Sequence, residues 1–189
     1  MLSNLSKESD GGPAMNKRLL IVGPAPSLKE DRKALERLDV EFLLDRMAAY
    51  DVMAIGLDMA EYIGRIDHVA TYHSYELPDF RKRREAIGGN TDYETHSHEQ
   101  FEDLVNRLWP YVPPSGSSAM LGIEAGMGMG YKRIVVAGCP LVDRKYTVTC
   151  DFRPGWIARY DVIKDAVRSM SGWTMELLGA PTKEWLDES

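Results

Sequence analysis

The stretch KRLLIVGPAPSLKE, residues 17–30, constrains the fold more than any other part of the chain. Leu19 to Val22 is apolar without interruption and β-branched at its end, which suits a strand covered on both faces rather than one half exposed to water. From Leu28 to Leu38, the residues Leu28, Ala34, Leu35 and Leu38 recur at helical spacing with charges between them. Strand, tight loop and helix follow in immediate succession. Such a turn brings backbone N–H groups and the positive end of a helix to one point, where nucleotide-binding folds hold an anion. The loop Gly23-Pro24-Ala25-Pro26-Ser27-Leu28 therefore has two readings. It is a phosphate cradle, or it is a rigid turn in which one glycine and two prolines stop a strand and start a helix.

The same rhythm continues. Residues 51–57 read as a second apolar strand, with Gly56 marking its end, and 67–73, DHVATYH, as a third. The polar segment 74–100, with Gly88-Gly89-Asn90, breaks the rhythm and is expected to make an excursion over the site, with one helix near 78–87. A further helix is expected over 98–108, ending before Pro110. In SGSSAMLGIEAGMGMGYKRIVVAGCPL, residues 115–141, Ser117 or Ser118 caps a helix running to 129, Gly130 closes it, and 132–137 is a buried strand. Gly122, Gly126 and Gly128 inside that helix each cost about 1 kcal/mol relative to alanine. Gly122 and Gly126 share one face, so close packing on a sheet offsets that cost. In the tail, Val162, Ile163, Ala166 and Met170 give a helix an apolar face, and Arg168 is placed to reach back to a phosphate. Alternating strands and helices predict an α/β fold: a Rossmann-like three-layer sandwich with a mostly parallel central sheet.

A chain of 189 residues suits one domain, expected over 16–189, after a polar, aperiodic and disordered lead-in over 1–15. No apolar run approaches the ~20 residues that cross a bilayer. The net charge of −6 argues against a sequence-independent nucleic-acid binder, and the basic run FRKRREAIGG, residues 80–89, reads as a solvated helix face. Two cysteines, Cys139 and Cys150, are too few for a disulfide scaffold, and no secretory signal precedes the first strand. The expected compartment is the cytoplasm.

Gly23 to Leu28, Ser115 to Ser118, Gly130-Tyr131-Lys132-Arg133-Ile134 and Gly138-Cys139-Pro140-Leu141 together resemble the MptE-like and bacterial sialyltransferase-like group. The resemblance covers about residues 17–143 as a scattered pattern. It implies a Rossmann-like sheet, a nucleotide or nucleotide-sugar donor as partner, and group transfer, glycosyl or diphosphate. Two positions depart from the pattern. Ala25 replaces the usual second glycine of the loop and puts a methyl group where backbone approaches phosphate, and Asp58 stands near where an asparagine often follows the second strand. The nucleotide-binding residues expected on this basis are Gly23, Pro26, Ser27, Asp58, Ser115, Gly116, Ser117, Ser118 and Gly138.

All four histidines, His68, His73, His96 and His98, fall within residues 68–98. His73 ends a predicted strand at the edge where doubly wound folds gather their sites, so it is the expected general acid or base; the alternative is a strand cap touching solvent. THSH, residues 95–98, offers two metal ligands without a complementary pair, and no protein-held metal site is expected. Asp143, just after AGCPLVD, is the second expected catalytic residue, placed to hold a magnesium ion or a hydroxyl; an exposed loop aspartate is the plainer reading. The pattern points to a nucleotide-dependent transferase, favoured by the histidine cluster. The alternative, favoured by Ala25, is a noncatalytic nucleotide-binding module.

Overall fold

The computed structural model describes residues 18–39, 49–111, 117–142 and 152–188. Among these, seven strands form one all-parallel sheet: β1 (Arg18–Val22), β2 (Tyr50–Ile55), β3 (His68–Ala70), β4 (Glu94–Ser97), β5 (Arg107–Leu108), β6 (Ile134–Ala137) and β7 (Val167–Ser169). Their order is β5-β4-β3-β2-β1-β6-β7. β1 lies between β2, paired from Arg18 against Tyr50 to Val22 against Ala54, and β6, paired from Leu19 against Ile134 to Val22 against Ala137. Leu19, Leu20, Ile21 and Val22 are wholly buried, which is why the run carries no polar residue. The lead-in 1–15, Ser115, Gly116, Asp143 and Cys150 lie outside the described residues.

The two faces of β1 serve two apolar layers. Leu20 and Val22 pack in one cluster with Leu35 of α1 (Leu28–Leu38) and Leu77 and Phe80 of α2 (Leu77–Ala86). Leu19 and Ile21 pack in the other with Met120 and Ile123 of α3 (Ser118–Gly128) and Trp156 and Ile163 of α4 (Arg153–Ile163). Two short helices, α5 (Gly172–Leu178) and α6 (Lys183–Asp187), add Leu178 to the second cluster and Trp185 and Leu186 to the first. Helices on both faces of a parallel sheet make the expected α/β sandwich. The glycines of α3 face the sheet closely: a Cβ at Gly122 would stand 3.0 Å from Met53 Sδ, and one at Gly126 would stand 2.5 Å from Leu19 Cδ2. No helix of the described residues is long and apolar enough to cross a membrane.

Two expected elements are corrected. Residues 98–108 form no helix; they turn and return to the sheet as β5. Asn106 Oδ1 accepts from the Thr95 amide at 2.8 Å, and the Asn106 amide donates to Thr95 Oγ1 at 2.9 Å. These side-chain bonds take the backbone partners that a helix would need. The tail helix ends at Ile163, and Val167 to Ser169 re-enter the sheet as β7, because the far side of β6 offers a ladder: Ile134 N–H donates to Ala166 O at 2.8 Å and Met170 N–H to Val136 O at 2.9 Å. Within the expected excursion 74–100, residues 94–97 are the sheet strand β4.

Candidate functional site at the carboxyl edge of the sheet

From β1 the chain builds the sheet outward to β5, then crosses back to lay β6 on the other side of β1. The carboxyl ends of β1 and β6 therefore flank a topological switch point, where open parallel sheets hold ligands. Here the two glycine loops touch. Gly23 N–H donates to Ala137 O at 2.9 Å and Ala25 N–H to Gly138 O at 3.1 Å. Gly138 has φ +68°, and a Cβ there would lie 2.2 Å from Gly23 O, so neither loop tolerates a side chain at the crossing.

The junction is tied by Asp31, which is 4% exposed. Its Oδ2 accepts from Gly138 N–H at 2.8 Å, from Ser171 Oγ at 2.8 Å and from Ser27 Oγ at 3.3 Å. One carboxylate thus joins the loops that follow β1, β6 and β7. Sequence reasoning missed it, although a signal was present: Asp31 lies on the buried stripe of α1, between Leu28 and Leu35. A carboxylate on that face has to be bonded inside. Burial also pushes the neighbouring Cys139 thiol up to about 12, which removes it as a nucleophile at neutral pH.

The loop itself has few donors left. Pro24 and Pro26 have no N–H, the amides of Gly23 and Ala25 bond the β6 loop, and Leu28 N–H bonds Ala25 O at 3.0 Å. The remaining amide is that of Ser27. Pro24 and Pro26 do line a groove of about 700 Å³ between α1 and the 3₁₀ turn Leu57–Glu61 that follows β2, and Asp58, exposed, lies on its opposite side. Tyr62, at the end of that wall, is held from behind. Arg84, 1% exposed, donates to the carbonyls of Tyr62 and Gly64 and to Asn90. The basic run 80–89 is therefore not wholly a solvated face.

Ser117 and Ser118 lie at the same edge but on the other face of the sheet. Ser117 is the N-cap residue of α3 without a side-chain capping bond, and Ser118 Oγ accepts from Tyr72 N–H at 3.3 Å. Beside them Tyr72, His98 and Tyr111 group their rings, with centroids 4.9 Å apart for Tyr72 and His98 and 5.5 Å for His98 and Tyr111. His98 Nδ1 is buried with no partner among the described residues. His73 is exposed just beyond β3, its ring 5.6 Å from that of Tyr75. Of the expected residues, Gly23, Ser27 and Gly138 are brought into one junction, and Pro26 and Asp58 into one groove. Ser117, Ser118 and His73 stand apart from these.

No family model and no curated protein matches the chain. Solved structures do. The monofunctional α-2,3-sialyltransferase Cst-I of Campylobacter jejuni superposes with a TM-score of 0.56 at 12% identity, over 98% of this chain and 86% of that one. The fold is sialyltransferase-like. CstII from the same organism, solved with the substrate analogue cytidine-5′-monophosphate, gives a TM-score of 0.53 at 14% identity over 88% and 86% of the two chains. Its complex with CMP-3FNeuAc gives 0.53 at 15% identity over 92% and 88%.

At the opposite, amino edge of this sialyltransferase-like sheet lies a second polar cluster. His68, Glu94 and His96 bring their ligand atoms within 4.8 Å of one another, as a metal site would. The donors argue otherwise. Trp109 Nε1, which can only donate, bonds His96 Nδ1 at 3.0 Å, so that nitrogen carries no proton and His96 Nε2–H donates to His68 Nδ1 at 3.1 Å. His68 Nε2–H then donates to the Tyr131 hydroxyl at 3.3 Å, which donates to Asp51 Oδ2 at 2.5 Å. A neutral His96 bound to metal through Nε2 would present Nδ1–H to the indole N–H, donor against donor. The two histidines do not fit a metal: they form a one-way relay, and Glu94, outside it, pairs with Arg107 at 3.1 Å. Burial holds His96 down to about 3 and His68 below its usual value, keeping both rings neutral.

Proposed function

We propose that this chain binds a nucleotide-activated sugar at the carboxyl edge of the sheet and transfers the sugar to an acceptor hydroxyl. The reading is carried by the β1–β6 crossover, where two glycine loops interlock around Asp31 in a fold shared with proteins that were solved with CMP and a CMP-sugar analogue. In the transfer, the bond from the anomeric carbon to the donor phosphate breaks as the bond to the acceptor oxygen forms. The nucleotide leaves with its phosphate, and the acceptor's proton passes to a base. His73 is assigned as that base, being exposed at the end of β3 where an acceptor can reach it. Magnesium at Asp143 would offset charge on the leaving phosphate. Gly23, Ser27 and Gly138 shape the switch point, Pro26 and Asp58 the groove beside it, and Ser117 and Ser118 the far side of the edge; Ser115 and Gly116 are assigned to donor binding with them. The noncatalytic alternative draws support from Ala25 and from the loop amides already engaged within the protein.

A melting experiment tests the reading. CMP, UDP, GTP and ATP are each offered at millimolar concentration with and without magnesium. A ligand at about 100 times its dissociation constant stabilises the native state by roughly 2.7 kcal/mol, and each kcal/mol shifts the midpoint of a chain this size by about 2–4 °C. A rise of about 5–11 °C is expected for one of them. Unmoved midpoints with all four defeat the nucleotide reading. Release of CMP from a CMP-sugar donor, abolished in His73→Gln with binding kept, is the expected mark of turnover. Binding without release for every acceptor offered puts the noncatalytic module in its place.

A further inference from the structure

Of the charges that line the groove beside the switch point, four face it without an ion pair among the described residues. On α1, Lys29 and Arg32 have no carboxylate or carbonyl partner among the described residues; the Arg32 guanidinium lies 5.2 Å from the centre of the Tyr62 ring, and its buried Nε is without a hydrogen bond. On the facing wall, Asp58 and Glu61 likewise make no ion pair among the described residues. Lys33, on the same α1 wall, pairs along the helix with Glu30 at 2.9 Å. Lys29 and Arg32 on one wall and Asp58 and Glu61 on the other make a groove of about 700 Å³ a bipolar site of the size that takes a small ligand. Its far wall is fixed: Arg84 holds the carbonyls of Tyr62 and Gly64 from inside the protein.

The geometry points to a nucleoside 5′-phosphate in this groove, its phosphate held by the Arg32 and Lys29 side chains and its ribose hydroxyls by the Asp58 carboxylate. The inference rests on the nucleotide reading above and goes further, because it moves the anion contact from the glycine loop to α1. The chemistry of each wall supports the assignment. With the amides of Gly23, Ala25 and Leu28 engaged and Pro24 and Pro26 lacking one, the loop offers an anion the Ser27 amide alone, and positive charge has to come from side chains. A guanidinium already fixed by stacking on an aromatic ring presents its remaining N–H groups to phosphate in a planar fork. A carboxylate just past the second strand is where dinucleotide folds receive the ribose hydroxyls as donors.

Three probes separate the walls: inorganic phosphate, cytidine and CMP, each titrated by calorimetry into the wild-type chain and into folded variants. Arg32→Gln is expected to weaken CMP at least tenfold, to abolish any phosphate binding and to leave cytidine unchanged. Asp58→Asn is expected to weaken CMP and cytidine by the same factor and to leave phosphate unchanged. Lys29→Gln, at an exposed position, repeats the Arg32 result more weakly and stands in for it if loss of the stacked guanidinium disturbs folding. CMP binding that both α1 variants and Asp58→Asn leave untouched overturns the groove assignment while the nucleotide reading stands. A folded wild-type chain that binds none of CMP, UDP, GTP and ATP overturns both.

Discussion

The two ends of the parallel sheet use the same kinds of side chain in opposite ways. At the amino edge, Trp109, His96, His68, Tyr131 and Asp51 form a closed chain in which each donor has an acceptor and one sense of hydrogen bonding is possible. At the carboxyl edge, Asp31 is equally well bonded, yet around it Lys29, Arg32, Asp58 and Glu61 make no ion pair among the described residues. Completed polar networks inside a fold hold a shape, because breaking any member leaves the others desolvated and unbonded. Polar groups left incomplete at a cleft are available to something else. By this measure the histidine-rich edge, which looks more chemical in sequence, is structural, and the quieter edge is the functional candidate.

The largest effect is expected where the functional edge is itself fastened. Asp31→Leu removes the charged acceptor of Gly138 N–H and of the Ser171 and Ser27 hydroxyls and leaves the buried Gly138 N–H unpaired. Bonds to a charged acceptor and unpaired buried donors are each worth about 1–3 kcal/mol, so a loss of about 3 kcal/mol or more is expected in urea unfolding. The midpoint temperature should fall by roughly 6–12 °C. Asp31→Asn, which keeps an acceptor oxygen, should lose less. A Leu variant as stable as the wild type would mean that the three loops hold together without the carboxylate.

The next effect is on the amino edge and is read by pH. His68 and His96 are both held below the usual imidazole value by burial, His96 down to about 3. Glu94, Asp51 and Asp67 act in the raising direction on His68 but do not outweigh burial, and Arg107 adds to the lowering of both rings. As pH falls through about 6.5 the unfolded chain binds both protons and the folded chain does not. Stability is therefore intact above that pH. Below it, each histidine removes up to about 1.4 kcal/mol per pH unit, continuing for His96 to about pH 3. Urea midpoints that stay level between about pH 7 and 5 would show that the relay is not closed.

How much of this was legible follows from which groups carry the signal. β1, its loop and α1 were readable because a two-sided strand has to be apolar and because glycine and proline punctuate its end. The tight seat of α3 was readable because glycines four apart share a face. β4 was not, since Glu94, Thr95, His96 and Ser97 carry no apolar pattern; the last three are buried, and Thr95 and His96 bond Asn106, Leu104, His68 and Trp109 there, partners that only the folded chain brings near. β7 was hidden because three residues after a helix, Val167 to Ser169, cannot display a period of their own. At the site, the glycine loops were found and the residue that joins them was not. Asp31 reads as one more charge on an amphipathic helix until its place on the buried stripe is counted.

The smallest expected effect on stability is the sharpest test of the comparison. Lys29→Gln and Asp58→Asn remove charges that bond to nothing among the described residues, so each should shift stability by no more than about 0.5 kcal/mol, the range of ordinary surface changes. A charge held only for a ligand costs the fold little when it is taken away, and removing an unpaired charge from the groove can even stabilise the empty protein slightly. Tyr131→Phe is the matched change at the other edge, one oxygen removed from a completed relay. It should cost about 1–3 kcal/mol, because His68 Nε2 and Asp51 lose their shared partner inside the protein. Urea unfolding of the three variants at pH 7 and low salt decides the matter. If Lys29→Gln and Asp58→Asn cost as much as Tyr131→Phe, those two groove charges are fastened into the structure like the relay, and the distinction between a completed edge and an open one is lost.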